Sequence, residues 1–310
     1  MLEAIQLTKT FKSTQAVKEV NLYLEKGETV GLLGPNGAGK STTISMLSSL
    51  VKPTNGEVLL KGESVKDQPK HLREILGVVP QEIAVFPELT AMENMSFFGN
   101  IYKLPKVELK QRIQEVLTLV GLEGRQKEPV KNFSGGMKRR LNIAIALLHN
   151  PEILIMDEPT VGIDPQSRNY ILETVKRLNE EKGMTVLYTS HYMEEVEFLC
   201  QRIYIMDRGE VIASGTKEEV KNILSSEHSI EVEVETANPD FIQKLKAIPV
   251  ISSVTVAEKK IILLAPKNIN LLEDVFSAAK ETNSPLKGIQ IKAPTLEDVF
   301  LHLTGRTLRD

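Results

Sequence analysis

The sequence predicts an α/β domain built on a largely parallel sheet, followed by a smaller α+β domain. Three observations carry that expectation. Short β-branched runs alternate with helical patterns through the first two-thirds of the 310 residues, as in a parallel sheet with crossover helices. One such run ends in the glycine-rich stretch GPNGAGKST at 34–42 and passes straight into a helical pattern. From residue 230 the order becomes strand, helix, strand, strand, helix, strand, the β-α-β-β-α-β order of ferredoxin-like domains.

Taken along the chain, ETVGLLG (28–34), EVLLKG (57–62), ILGVVP (75–80), EILIMD (152–157), MTVLYTS (184–190) and RIYIMD (202–207) read as strands. Arg208-Gly209 reads as a hairpin turn into one more strand. Residues from about 85 to 150 are mostly helical, with VELKQRIQEVLTLVGL showing apolar residues at helical spacing. A helical subdomain is therefore expected between two sheet strands. The small, polar stretch NILSSEHS suggests a linker, so the expected division is 1–222, a linker at 223–229, and a second domain at 230–310. In that second domain, strands are expected at 230–235, 251–257, 260–265 and 287–292, and helices at 239–247 and 270–281. LEDVF occurs at 272–276 and 296–300 with unlike flanks, which reads as two amphipathic helix starts and no repeat.

Composition narrows the class. With 38 basic and 41 acidic residues the net charge is -3, so no positive excess invites nucleic acid. The single cysteine, Cys200, excludes an internal disulfide and fits a reducing compartment. MLEAIQLTKTF contains Glu3 and lacks the apolar core of a signal peptide. LNIAIALL, EILIM and IILLA fall far short of the ~20 residues that span a bilayer.

The chemistry begins at Gly34–Ser41, which satisfies G-x-x-x-x-G-K-[ST] between a strand and a helix. Gly34, Gly37 and Gly39 let successive backbone N–H groups converge on phosphate oxygens, and the helix N-terminus adds positive potential. Lys40 is placed to reach β- and γ-phosphates, and the Ser41 hydroxyl to hold Mg²⁺. EILIMDEP ends a buried strand in Asp157, a second candidate Mg²⁺ ligand, and Glu158, which can deprotonate the attacking water. No N-K-x-D motif is present, which favours ATP over GTP.

FSGGM at 133–137, just before a helix, is by itself only a glycine-containing helix entry. With the two nucleotide motifs before and after it, and a lone histidine after a later strand, it resembles the signature of the ATP-binding subunits of ABC transporters. The resemblance spans about residues 2–220 and rests on five motifs in the family's order. It implies a P-loop NTPase domain of the ABC ATPase type, with a helical subdomain and N-terminal antiparallel strands. By position, Gly34, Pro35, Asn36, Gly37, Ala38, Gly39, Lys40, Ser41 and Thr42 form Walker A, and Gln81 is the Q-loop glutamine, a further Mg²⁺ contact. Ser134, Gly135 and Gly136 form the signature, Asp157 and Glu158 Walker B, Asp164 the D-loop, and His191 the switch histidine. The catalytic set is then Glu158, His191, Gln81 and Lys40. Phe11 stands where a tyrosine usually stacks on adenine, and Val17 joins the nucleotide contacts. The usual LSGGQ has Phe133 for Leu and Met137 for Gln.

The same resemblance implies a second ATPase subunit, packed head to tail, so that Walker A of one and the signature of the other sandwich each ATP. A membrane permease is the other implied partner, which would place the protein peripherally on the cytoplasmic face of the cell membrane. IAVFPELTAMENMSFFG resembles the segment that receives it, with Phe86, Leu89, Met92 and Met95 as candidate apolar lining. The ending APTLEDVFLHLTGR and the appended domain resemble the type 2 exporter group, which extrudes drugs, antibiotics or sodium. KRR (138–140) and MEEVEF (193–198) read as solvated helix faces, and His71, His149, His228 and His302 have no partners at metal-ligand spacing. A soluble ABC ATPase outside transport and a non-hydrolysing nucleotide switch remain the alternatives at this stage.

Overall fold

The computed structural model describes residues 1–66, 69–224, 226–257, 259–292 and 294–305. The chain divides into two compact units, the first running from Met1 to Ser214 and the second starting at Gly215.

The first unit opens with β1 (Leu2–Phe11) and β2 (Thr14–Leu24), which pair antiparallel, and continues into β3 (Thr29–Leu33) and α1 (Lys40–Leu47). β4 (Asn55–Leu60) and β5 (Glu63–Ser64) follow, then α2 (Pro69–Ile75) and β6 (Leu76–Val79). Three helices, α3 (Ala91–Ile101), α4 (Lys106–Leu119) and α5 (Gly135–Ala146), stand between β6 and β7 (Ile153–Met156). The unit continues through α6 (Pro165–Lys182), β8 (Thr185–Thr189), α7 (Met193–Leu199), β9 (Arg202–Asp207) and β10 (Glu210–Thr216), whose last two residues fall in the second unit.

These strands form two sheets. One has the order β10-β9-β3-β8-β7-β6, with β3, β6, β7, β8 and β9 parallel. Its central strands are buried along their whole length and apolar but for Thr29, Thr185 and Thr189, as a sheet covered on both faces requires. Arg208 (φ 48°) and Gly209 (φ 87°) make the tight turn between β9 and β10. The other sheet, β2-β1-β4-β5, is antiparallel. The strand expected at 57–62 belongs here, paired with β1, and not to the parallel sheet. Leu2, Leu7 and Leu24 of this sheet, Met46 and Leu47 of α1, and Leu32, Ile155 and Leu187 of the parallel sheet share one core. The turn after β3 is thereby fixed between two sheets.

The second unit contains α8 (Lys217–Lys221), β11 (Glu227–Val234), α9 (Pro239–Lys246), β12 (Ser253–Ala257), β13 (Lys260–Pro266), α10 (Leu272–Glu281), β14 (Leu286–Lys292) and α11 (Leu296–Thr304). Its sheet has the order β12-β13-β11-β14, antiparallel throughout. Ile230, Val232, Ile261 and Leu263 pack against Phe241, Leu245 and Val275 of α9 and α10. Both LEDVF segments open helices. The compact units divide at Gly215, earlier than the boundary expected at 222. The stretch expected as a linker holds a 3₁₀ turn at Asn222–Leu224 and the start of β11, while Ser225 lies outside the described residues. So do Ala293 and Arg306 of the terminal segment.

No helix among the described residues is long and apolar enough to cross a membrane.

Candidate functional site

The loop from Gly34 to Gly39 joins a buried strand to a helix and is pressed onto its neighbours. A Cβ at Gly34 would lie 2.5 Å from the Met206 carbonyl oxygen, and one at Gly39 (φ 102°) 2.6 Å from that of Ala16. Only glycine fits both positions. Pro35 and Ala38 are buried and Asn36 and Gly37 exposed, while Ser41 is exposed and Thr42 half-buried in the first turn of α1. Lys40 is only 6 % exposed. Its Nζ donates to the carbonyls of Gly34 (2.7 Å) and Pro35 (3.3 Å) and lies 3.5 Å from Glu158 Oε1.

Glu158 collects the rest of the expected catalytic set. Its Oε2 accepts from Gln81 Nε2 at 3.3 Å and lies 3.3 Å from His191 Nδ1. Three residues, at positions 40, 81 and 191, drawn from one helix start and two strand ends, therefore converge on the carboxylate of Glu158 at the end of a third strand. Glu158 also has φ 45°, a left-handed backbone that costs a non-glycine residue about 1–3 kcal/mol. Thr189 holds it there: its hydroxyl accepts from the Glu158 N–H at 2.8 Å and donates to Asp157 Oδ1 at 2.8 Å. Thr189 was not among the sequence candidates, although its place at the end of β8, opposite the acidic end of β7, follows from the strand pairing.

Ser134 caps α5, its Oγ accepting from the Met137 N–H at 3.2 Å. Ser134 and Gly135 are exposed, and a Cβ on Gly135 would meet nothing within 4 Å. Gly136 is different. It is buried, and a Cβ there would collide with Ser167 in the first turn of α6. Asp164 caps α6 by accepting from the Ser167 N–H at 2.9 Å, and those bonds to Ser167 hold its carboxyl below the usual range. Phe133 is buried in the core, as an apolar residue at this position would be.

Several sequence readings need correction. Val17 is fully buried in the core beneath Gly39 and presents no free face to a nucleotide. Met95 is likewise fully buried, so it cannot line a docking groove. The exposed apolar surface there is aromatic: Phe86 and Phe97 meet edge to face at 5.0 Å, and Phe98 stacks on Phe86 at 6.1 Å, while Leu89 and Met92 are half-buried. KRR is not a solvated face. Arg139 is buried against the backbone after β6, and Arg140 Nη1 donates to the carbonyls of Val120 and Gly121 at 3.0 Å each. In MEEVEF, Glu195 is 1 % exposed. Its Oε2 accepts from the hydroxyls of Thr160 (2.9 Å), Tyr188 (2.9 Å) and Ser190 (2.7 Å). Burial and the adjacent carboxylate push the Tyr188 phenol well above its ordinary value. Phe11 is 48 % exposed with Lys9 Nζ 5.1 Å above its ring, so a π-face is open on β1.

The donor set suits a hard cation. Ser41, Gln81 and Asp157 offer a hydroxyl, an amide and a carboxylate oxygen, the ligand types Mg²⁺ takes. The described residues contain no group of three His, Cys, Asp or Glu able to hold a metal by themselves.

Residues 17–161 match the model of the ABC transporter family. The chain is 50 % identical, over all of both chains, to the linearmycin resistance ATP-binding protein LnrL of Bacillus subtilis (strain 168). It is 35 % identical to the Nod factor export ATP-binding protein I of Ralstonia nicotianae, over 98 % of this chain and 94 % of that one. Among solved structures, the dimeric post-hydrolysis state of the ATP-binding cassette MJ0796, bound to ADP and Pi, matches with a TM-score of 0.63 at 34 % identity, covering 70 % of this chain and 98 % of the other.

Proposed function

The chain belongs to the ABC transporter family, and from that premise we propose that it is the ATP-hydrolysing motor of an exporter of the drug and antibiotic type, working with a second ATPase subunit and a membrane permease. The observation that carries the catalytic assignment is the convergence of Lys40, Gln81 and His191 on the carboxylate of Glu158. The export assignment is supported by the full-length similarity to a linearmycin resistance protein and a Nod factor export protein, which takes in the second unit as well as the first.

The chemistry follows from the placements. The Gly34–Gly39 backbone receives the β- and γ-phosphates at the start of α1. Lys40 exchanges its two carbonyl partners for phosphate oxygens, offsetting charge that grows in the transition state. Glu158 then takes the proton of the attacking water, with Gln81 and His191 fixing that water and the terminal phosphate. Ser41, Asp157 and Gln81 would hold Mg²⁺, which when bound neutralises phosphate charge. Phe11 offers its exposed ring to the base. Ser134 and Gly135 face a second subunit's nucleotide, which fits their exposure and the open space above Gly135. The surface of Phe86, Phe97 and Phe98 receives the permease, holding the protein to the cytoplasmic face of the membrane.

Affinity purification of the tagged protein from detergent-solubilised membranes tests the reading. A multi-spanning membrane protein recovered in fixed ratio is the expected result, and replacing Phe86 and Phe97 by serine abolishes it. Recovery from the soluble fraction alone, with ribosomal or repair proteins, overturns the transport assignment and leaves the ATPase chemistry standing.

A further inference from the structure

The backbone leaving β6 runs from the nucleotide site to the aromatic surface, and α5 grips it on the way. Arg139 Nη1 donates to the Pro80 carbonyl at 2.8 Å and Nη2 to the Gln81 carbonyl at 2.6 Å. Two prongs of one planar guanidinium thus hold two consecutive carbonyls from two nitrogens in a fixed fork, a geometry that the single nitrogen of an ammonium does not share. Asn142, on the next turn of the same helix, accepts from the Ala84 N–H at 3.3 Å. Arg139 is 4 % exposed, and among the described residues no carboxylate pairs with it. A buried cation without a counter-ion is expensive, and the carbonyl dipoles of this segment are what offset it. Pulling either carbonyl away would leave part of that charge unpaired in the interior, which ties the segment to the helix.

We propose that Arg139 is a positioning residue, fixing Gln81 to the helix whose first turn is the Ser134–Gly136 corner, so that a ligand met at that corner changes the placement of Gln81 in the same subunit. The inference rests on the reading that Ser134 and Gly135 face a partner's nucleotide. Arg139 lies one turn into α5, and Gln81 Nε2 reaches Glu158 Oε2 at 3.3 Å. A tilt of the first turn of α5 therefore displaces the Gln81 amide against the carboxylate that activates water. In an assembled pair, each α5 touches the partner's nucleotide at one end and its own subunit's catalytic glutamine through Arg139. The two sites then communicate through this side chain.

The test is a double-mutant cycle on ATP hydrolysis by the purified full-length chain, with Arg139→Lys, Gln81→Ala and both together. Arg139→Lys is expected to lower kcat roughly tenfold, inside the ~100-fold that a 1 Å misplacement can cost, with the KM for ATP changed less than about twofold. In the Gln81→Ala background the lysine substitution adds less than about twofold, because the side chain it positions is gone. The Hill coefficient for ATP falls toward unity in Arg139→Lys alone. Equal loss of kcat in both backgrounds, together with a lowered melting temperature, would mean that Arg139 only holds the fold, and would overturn the proposal. If the lysine variant does not accumulate as folded protein, Arg139→Gln, which keeps a donor without the charge, takes its place in the cycle. Failure of the underlying reading is separable: it leaves ATP-driven dimerisation unchanged in Ser134→Arg, whereas failure of the Arg139 inference leaves that variant defective.

Discussion

The two glycine corners of the first unit are alike in sequence and opposite in surroundings. At 34–42 the charged groups have partners within the chain: Lys40 bonds the loop's own carbonyls, and Glu158, Gln81 and His191 close the ring beside it. At 134–136, Ser134 spends its oxygen on capping α5, Gly135 faces open space and only Gly136 is packed. A corner enclosed by its own chain can bind a nucleotide unaided. One that is exposed at a helix start leaves room for a group brought by another molecule, which is what the proposed pairing of two subunits asks of it.

Substitutions can break this contrast at either end. The largest effect is expected at the enclosed corner. Glu158→Gln removes the base and lowers kcat by about a thousandfold, within the range general-base catalysis contributes. It leaves ATP affinity nearly unchanged, and the ATP-bound pair accumulates on size-exclusion chromatography. Full turnover in that variant would move the base elsewhere. Ser134→Arg comes next. Over-packing a close interface costs ~1–3 kcal/mol, so ATP-driven pairing weakens by roughly tenfold to a hundredfold, while equilibrium dialysis finds ATP binding by the single subunit intact. The smallest effect sharpens the contrast inside one corner. Gly136→Ala puts a methyl group into Ser167 and lowers stability by about 1–3 kcal/mol, read from thermal unfolding, and Ser167→Ala relieves part of it. Gly135→Ala, with nothing near its Cβ, leaves unfolding unchanged and lowers only turnover. Equal melting curves for the two alanine variants would show that both glycines serve the same purpose.

The enclosed corner was legible because its logic is local. A strand, a glycine loop and a helix start are contiguous in sequence, and the Asp157–Glu158 pair sits at the end of a strand whose apolar run announces its burial. What escaped the sequence has partners far along the chain. Arg139 and Arg140 look like surface charge beside Lys138, and only the fold brings the carbonyls at 80, 81, 120 and 121 to them. Glu195 sits in a run of acidic residues whose neighbour Glu194 is exposed; one step around a helix separates solvent from a cage of hydroxyls. Met95 is buried where a lining residue was expected, and Phe97, which the sequence reading did not single out, is exposed, since several apolar residues of α3 compete for one buried face. The strand at 57–62 was found, but its sheet was not, because an apolar run does not say whether its neighbour is parallel.

The oxygen shared at Glu195 has a consequence for how two segments move. Thr160 lies on the segment leaving β7 toward Asp164, and Ser190 stands directly before His191. Both hydroxyls end on Glu195 Oε2. Neither segment can shift alone without leaving a buried donor unsatisfied, a penalty of about 1–3 kcal/mol. That shared acceptor ties the backbone leading to Asp164 to the backbone leading to His191, so moving one without the other carries that cost.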